Sequence, residues 1–310
     1  MKIVFLDAKT MGNDIDLSLI QQFGIFEVFD TTALHERIEH IGDAKIVLTN
    51  KVIIDKEVMD LCPNLGLICV TATGMNNVDL EYAKHKGIVV KNVAGYSTAS
   101  VAQTTFMLVL SLLGQCGYYD QYVKSGEWVK SPMYTHIDRP FWEIKGKRWG
   151  IIGLGTIGQE VAKIATAFGA HVVYFSASGA NHNSLYEQIS LDEMMRTCDI
   201  ISIHAPLNEH TKNLITKAQL NLMKKGAILV NVGRGGIINE ADLLEVIDAK
   251  EIFVGLDVLS IEPMVENHPL LYVKHPERLI ITPHIAWASV EARTELMRLV
   301  GENIKEFLRQ

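Results

Sequence analysis

"RWGIIGLGTIGQEVAKIATAFGAHVVYFSASGANHN", residues 148–183, decides how the rest of the chain is read. An apolar run of strand length passes into a glycine-rich turn, and the turn opens a stretch with helical periodicity. Gly153, Gly155 and Gly158 stand at the G-x-G-x-x-G spacing of a dinucleotide turn, where backbone approaches a pyrophosphate at a helix N-terminus. An acid is expected roughly 20 residues further on, at the end of the next strand, to hold the adenosine ribose. That strand is HVVYF (171–175), and the residue after it is Ser176. No carboxylate occurs between Glu160 and Glu187.

Bulk properties bound the rest. A chain of 310 residues is long enough for two domains, each burying its own core. With 48% hydrophobic and 21% charged residues the composition is that of a globular protein. A formal charge of −7 argues against a basic nucleic-acid-binding face. Cys62, Cys69, Cys116 and Cys198 are scattered without metal-ligand spacing, so buried thiols of a reducing compartment are expected and no metal site is. The N-terminal MKIVFLDAKT reads as a strand rather than a signal peptide, and TTFMLVLSLLG is too short an apolar run to span a bilayer. A cytoplasmic protein without a membrane contact is expected.

Short apolar strands alternate with helical stretches throughout, which is the pattern of parallel α/β architecture. The first hundred residues hold strands at 2–7, 26–30, 45–50, 65–72 and 88–93, and Gly87 is placed to end the helix in DLEYAKHKG. A long helix is expected from Thr98 to Lys124, followed by an aromatic, turn-rich loop. Six further strands follow, at 148–154, 171–175, 199–205, 227–233, 253–258 and 279–285, enough for a complete dinucleotide-binding sheet. The last 25 residues, AWASVEARTELMRLVGENIKEFLRQ, form an amphipathic helix with no strand after it. They are expected to return to the first sheet. The fold expectation is therefore two doubly wound parallel-sheet domains. A Rossmann dinucleotide-binding domain (98–285) is inserted in a flavodoxin-like substrate domain made of 1–97 and 286–310.

Ligands of open α/β sheets bind outside the carboxyl ends of the strands. That rule selects Arg234 after AILVNVG, Asp257 in FVGLDV, Glu262 in the loop that follows, and His284 in LIITPHI. Taken singly, each has an ordinary structural reading: a surface cation, a turn-capping acid, a solvated loop acid, a core histidine. Their appearance at the ends of successive strands favours a site.

The motifs GKRWGIIGLGTIG, HAPLNEHTKNLI, MKKGAILVNVGRGGIINEADLLEVI, GLDVLSIEP and TPHIAWAS occur in that order, with TATGMNNVDL and NVAGYSTASVAQTT before them. Over essentially its whole length the chain resembles the D-isomer-specific 2-hydroxyacid dehydrogenase family, and NVAGYSTASVAQ is most similar to its glycerate dehydrogenase/hydroxypyruvate reductase branch. The resemblance implies hydride transfer between a nicotinamide and C2 of a small 2-oxo or D-2-hydroxy acid, hydroxypyruvate/D-glycerate or glyoxylate/glycolate. It implies His284 as the acid–base group, with Glu262 on its other ring nitrogen favouring the charged imidazolium, and Arg234 on the 2-oxo group and carboxylate. Substrate contacts are implied at Thr73, Gly74 and Met75 as well as at Arg234 and His284. Cofactor contacts are implied at Thr105, at the turn Gly153, Leu154, Gly155, Thr156, Ile157 and Gly158, and at Ser176 and Ser178. They continue at Ala205, Pro206, Thr211, Val232, Gly233, Arg234, Asp257 and His284, with Asp257 facing the nicotinamide carboxamide. A homodimer is implied, through the helix after Ser97 and the loop Tyr134 to Trp142.

Glu262 stands where the family's formate dehydrogenases carry Gln, and no phosphate clamp or room for a regulatory domain points to long-form phosphoglycerate dehydrogenase. Other readings are dehydrogenases of D-lactate, branched 2-hydroxy acids or phosphite, and the dinucleotide-sensing scaffold of the C-terminal binding protein corepressors. At the ribose end, SASGANHN has neither the acid that selects NAD nor the Arg or Lys that selects NADP, and His182 is its one ionisable side chain. NAD or NADP is thus expected, with NADP tolerated.

Overall fold

The computed structural model describes residues 1–179 and 183–309. The chain divides into two compact units: Met1–Ser97 together with the segment from Trp287 onward, and Thr98–Ala286.

In the first unit β1 (Lys2–Phe5), β2 (Ile25–Val28), β3 (Ile46–Thr49), β4 (Leu67–Val70) and β5 (Val89–Lys91) form one parallel sheet in the order β2-β1-β3-β4-β5. This is the flavodoxin-like order. β3 and β4 are buried along their whole length, as strands covered on both faces must be, so they read as continuous apolar runs rather than alternating ones. One face is covered by the helix Val290–Phe307, whose Leu296, Met297, Val300 and Ile304 pack with Ile3, Phe5, Leu67 and Cys69. Ser289 starts that helix by accepting the Ala292 N–H at 3.1 Å. Asp79 caps Leu80–Lys86 in the same way, and Gly87 ends it in the left-handed conformation at φ 72°. The turn after β3 is fixed by Asp7, whose buried carboxylate accepts the N–H groups of Asn50 and Lys51 at 2.8 and 2.6 Å.

The second unit holds β6 (Arg148–Ile152), β7 (His171–Phe175), β8 (Glu187–Gln188), β9 (Ile200–Ile203), β10 (Ile228–Asn231), β11 (Phe253–Leu256) and β12 (Leu279–Ile281). All pair in parallel in the order β12-β11-β10-β9-β6-β7-β8. The order reverses between β6 and β9, which is the switch point where doubly wound sheets bind ligands. Six strands were expected here and the sheet has seven. The extra one is β8, two exposed polar residues that carry no hydrophobic pattern to read.

The expected Thr98–Lys124 helix is a second correction. It breaks into Thr98–Leu113 and Cys116–Lys124, bent by 60°. Gln115 sits at the break with φ 51°, buried, its Nε2 donating to Leu112 O at 3.0 Å. Helical periodicity continues through the break, so only the backbone conformation reveals it. Among the described residues no single helix is long and apolar enough to cross a membrane, and no group of three His, Cys, Asp or Glu side chains is placed to hold a metal ion.

Between β6 and the helix Thr156–Ala167 the glycines differ in what they permit. A Cβ on Gly158 would lie 2.2 Å from Gly153 O, whereas one on Gly155 would have nothing within 4 Å. Gly158→Ala is therefore expected to cost about 1–3 kcal/mol by overpacking. Gly155→Ala is expected to change stability by less than about 0.5 kcal/mol. Urea midpoints at unchanged slope would measure both.

Candidate active site

The carboxyl edge of the second unit's sheet is built from six strand ends, those of β6, β7, β9, β10, β11 and β12. At β6, Gly153 adopts φ 91° and its own N–H donates to Phe175 O at 3.0 Å. A side chain there would meet Ala205 N at 2.8 Å, so glycine lets the turn pass against the end of β9. Leu154 is buried beneath the turn, while Gly155 and Thr156 are exposed at the start of Thr156–Ala167. The first turn of that 12-residue helix has no acid. Its N–H groups and the positive end of its dipole are left to face an anion, and the empty space over Gly155 admits one closely. These features fit a dinucleotide pyrophosphate.

Ser176, at the end of β7, is buried, and Ser178 is exposed. His182 lies outside the described residues. Ala205 is buried and Pro206 exposed after β9. Two residues implied as cofactor contacts are placed otherwise. Thr105 is fully buried within Thr98–Leu113, its hydroxyl donating to Val101 O at 2.8 Å one turn back. Thr211 is 1% exposed, and its hydroxyl braces the turn after β9 by donating to Pro206 O at 2.6 Å and accepting the Asn208 N–H at 2.8 Å. Both hydroxyls are engaged within the protein.

After β10, buried Asn231 clamps the next residues, accepting the Gly233 N–H at 3.0 Å and donating to Arg234 O at 2.9 Å. Val232 is buried, and Arg234 is exposed with its guanidinium donating to Gly233 O at 2.8 Å. The following Gly235 is pressed against the loop after β11: a Cβ would fall 1.8 Å from Leu259 O. That loop carries Glu262, whose Oε1 accepts the Leu259 N–H at 2.9 Å and whose Oε2 lies 2.7 Å from His284 Nδ1. The two side chains keep 35% and 25% of their surface, enough to remain reachable.

His284 stands at φ 54°, a left-handed conformation that a non-glycine residue adopts only under external constraint. The constraint is Asp257. Its backbone O accepts the His284 N–H at 2.8 Å, and its buried carboxylate accepts Thr282 Oγ1 at 2.6 Å, Ile285 N at 2.9 Å and Ala286 N at 2.8 Å. Burial pushes the Asp257 carboxyl up, opposed by those donors and by the nearby His284. The partners of this carboxylate are thus the loop that aims His284. Arg234, Glu262 and His284 are brought to one edge by the adjacent strands β10, β11 and β12.

Thr73, Gly74 and Met75 belong to the first unit, just beyond β4. Thr73 donates to Val93 O at 3.0 Å, and Met75 packs partly on that unit's core.

Three residues at or near the second unit's site escaped sequence reasoning. His204, between β9 and Ala205, has Nε2 3.0 Å from Ser202 Oγ, which also accepts Trp149 Nε1–H at 2.9 Å. Its Nδ1 is buried without a hydrogen-bond partner, and burial pushes the imidazole down to about 3, so it stays neutral. Glu240 and His268 form a hydrogen-bonded pair at 3.1 Å behind the Glu262 loop. His204 and Glu240 lie within HAPLNEHTKNLI and MKKGAILVNVGRGGIINEADLLEVI, where nothing singles them out, and His268 lies in none of the motifs.

Similarity to known proteins identifies the family. The family model described as D-isomer specific 2-hydroxyacid dehydrogenase, NAD binding domain, matches residues 106–286. The chain is 40% identical to a hydroxypyruvate reductase of Blautia hydrogenotrophica, covering all of this chain and 97% of that one. It is 34% identical to a glycerate dehydrogenase of Methylorubrum extorquens, over 99% and 96% of the two chains. Among solved structures it is similar to an acyclic imino acid reductase (Bsp5) in complex with NADPH and D-Arg, with 30% identity, a TM-score of 0.86 and coverage of 100% and 98%. The chain belongs to the D-isomer specific 2-hydroxyacid dehydrogenase family and is an oxidoreductase that works with a nicotinamide dinucleotide.

Proposed function

We propose that the chain reduces a small 2-oxo acid, hydroxypyruvate or glyoxylate, to the D-2-hydroxy acid. The observation that carries this reading is the 2.7 Å contact of Glu262 with His284 Nδ1 at the strand end next to Arg234's neighbour β11. When bound, the nicotinamide supplies the hydride. His284, with Nδ1 committed to Glu262, presents Nε2 to the substrate oxygen and gives it a proton as charge develops there. Glu262 fixes the ring's tautomer and stabilises the imidazolium. Arg234 polarises the ketone and pairs with the carboxylate through its planar, always charged fork.

The turn Gly153–Gly158 receives the pyrophosphate, and Ser176 and Ser178 the adenosine ribose. Ala205, Pro206, Val232 and Gly233 line the path towards the nicotinamide. Asp257, with its carboxylate taken up by Thr282, Ile285 and Ala286, acts by holding the loop that carries His284 towards the nicotinamide. Because no carboxylate follows β7 to repel a 2′-phosphate, both NADH and NADPH are accepted. Support for the hydroxypyruvate assignment comes from the names of the relatives and from Glu262 itself.

The protein works in the cytoplasm, a reading supported by four free cysteines, of which Cys69 and Cys198 are pushed up by burial to about 12 and about 11. Its net charge of −7 supports the absence of nucleic-acid partners. It pairs as a homodimer through the segment that exposes Val129, Tyr134, Ile137 and Phe141 at 89, 87, 72 and 60%. So much exposed apolar surface on one segment calls for a partner surface.

Initial rates with hydroxypyruvate, with each cofactor titrated to saturation, test the activity and the ribose site together. Measurable kcat/KM with both cofactors, within about tenfold of each other (1.4 kcal/mol), is expected; no turnover with either would refute the substrate assignment. His284→Gln is expected to lower kcat about 10²–10⁴-fold with a smaller change in KM. Glu262→Gln is expected to lower kcat about tenfold with KM little changed, because the amide cannot replace the charged acceptor that fixes the His284 ring. Tyr134→Lys with Ile137→Lys is expected to yield monomers in sedimentation, and an unchanged dimer would exclude this segment as the interface.

A further inference from the structure

Two successive N–H groups in the loop after β11 go to two different carboxylates. Leu259 N–H donates to Glu262 Oε1 at 2.9 Å, and Ser260 N–H donates to Glu240 Oε1 at 2.6 Å. Glu240 is the first residue of the helix Glu240–Ala249, which follows directly on the Arg234 segment. Its position favours a negative charge, because it lies at the positive end of the helix dipole. Its second oxygen lies 3.1 Å from His268 Nε2, and the two side chains keep only 15% and 9% of their surface. The tautomer follows from the other ring nitrogen. His268 Nδ1 accepts the Leu270 N–H at 3.3 Å, so Nε2 carries the proton and donates to Glu240.

The loop is therefore gripped from two sides. Leu259 O is approached by Gly235 so closely that a Cβ there would lie 1.8 Å away, and the same Cβ would be 2.5 Å from Ser260 N. The N–H side is held by Glu240. Glu262 follows two residues later, and its reach to His284 is set by where Leu259 and Ser260 are held. Without Glu240, Ser260 N–H would be free to compete with Leu259 N–H and His284 for the Glu262 carboxylate. A hydrogen bond to a charged acceptor is among the stronger ones a backbone N–H can make, enough to redirect a carboxylate. We infer that Glu240 and His268 are positioning residues that hold the Glu262 carboxylate against His284, so that helix Glu240–Ala249 ties the Arg234 segment to the acid–base pair.

The inference rests on the reading of Glu262 and His284 given above, and its test separates the two. Glu240→Ala, His268→Ala, His268→Gln and Glu262→Gln are compared with wild type for kcat and KM in hydroxypyruvate reduction, and for Tm. Glu240→Ala is expected to lower kcat about tenfold with KM little changed. His268→Ala should follow Glu240→Ala, giving a second reading if the latter fails to fold. His268→Gln, which keeps an N–H towards Glu240, should restore most of the activity. If Glu262→Gln lowers kcat while Glu240→Ala and His268→Ala lower only Tm or the folded fraction, the brace is structural and the inference is overturned. If Glu262→Gln leaves kcat unchanged, the acid–base reading itself fails and the inference falls with it.

Discussion

The second unit's site depends on one buried carboxylate. Asp257 leaves β11 and takes its hydrogen bonds from the chain leaving β12: Thr282 Oγ1, Ile285 N and Ala286 N. An isolated charge in that environment would be costly, and burial does push this carboxyl up. Three donors and the neighbouring imidazole offset the cost by satisfying the charged form. The return is geometric. A segment held at both ends by one side chain can keep His284 at φ 54°, a conformation worth roughly 1–3 kcal/mol of strain that the surrounding bonds must over-determine. In that backbone position the ring meets Glu262 at 2.7 Å.

The same division runs through the whole edge. Buried polar groups hold backbone, and exposed ones are left for ligands. Asn231 is 1% exposed and fixes both Gly233 and Arg234, whose guanidinium then stands in solvent. Thr211 is buried and shapes the turn whose Pro206 is exposed. Where backbone must pass backbone, the residue is glycine. Gly153 runs against Ala205 and Gly235 against Leu259, each too near for a side chain.

Sequence patterns reveal elements that are buried on both faces, because those must be apolar along their length. The strands β1, β3, β4, β6, β9, β10 and β11 were all legible for that reason, and with the glycine spacing they fix the doubly wound class. β8 was not, since Glu187 and Gln188 are exposed and pair by backbone alone. The bend at Gln115 was not, since a single left-handed residue leaves helical periodicity intact on either side. At the site, the rule that ligands meet strand ends selected Arg234, Asp257, Glu262 and His284 together. It could not show that Asp257 spends its oxygens on the loop. Nor could it show that the Thr105 and Thr211 hydroxyls bond within their own helix and turn. The Glu240–His268 pair spans 28 residues of sequence and belongs to no periodic pattern, so only tertiary structure displays it.

Histidine chemistry makes the last step. The chain has 11 histidines, and three in the second unit's core region share a residue type but not an environment. His204 has a serine beside Nε2 and, among the described residues, no hydrogen-bond partner at its buried Nδ1, and burial keeps it neutral. His268 has a carboxylate on one nitrogen and a backbone N–H on the other, so both nitrogens are spent. His284 has a carboxylate on Nδ1 and a quarter of its side chain still exposed. A general acid needs a counter-charge that stabilises the imidazolium and also a nitrogen left over to reach the substrate. His204 lacks the first and His268 lacks the second. His284 has both, and it has them because Asp257 and the β11 loop hold its two neighbours in place.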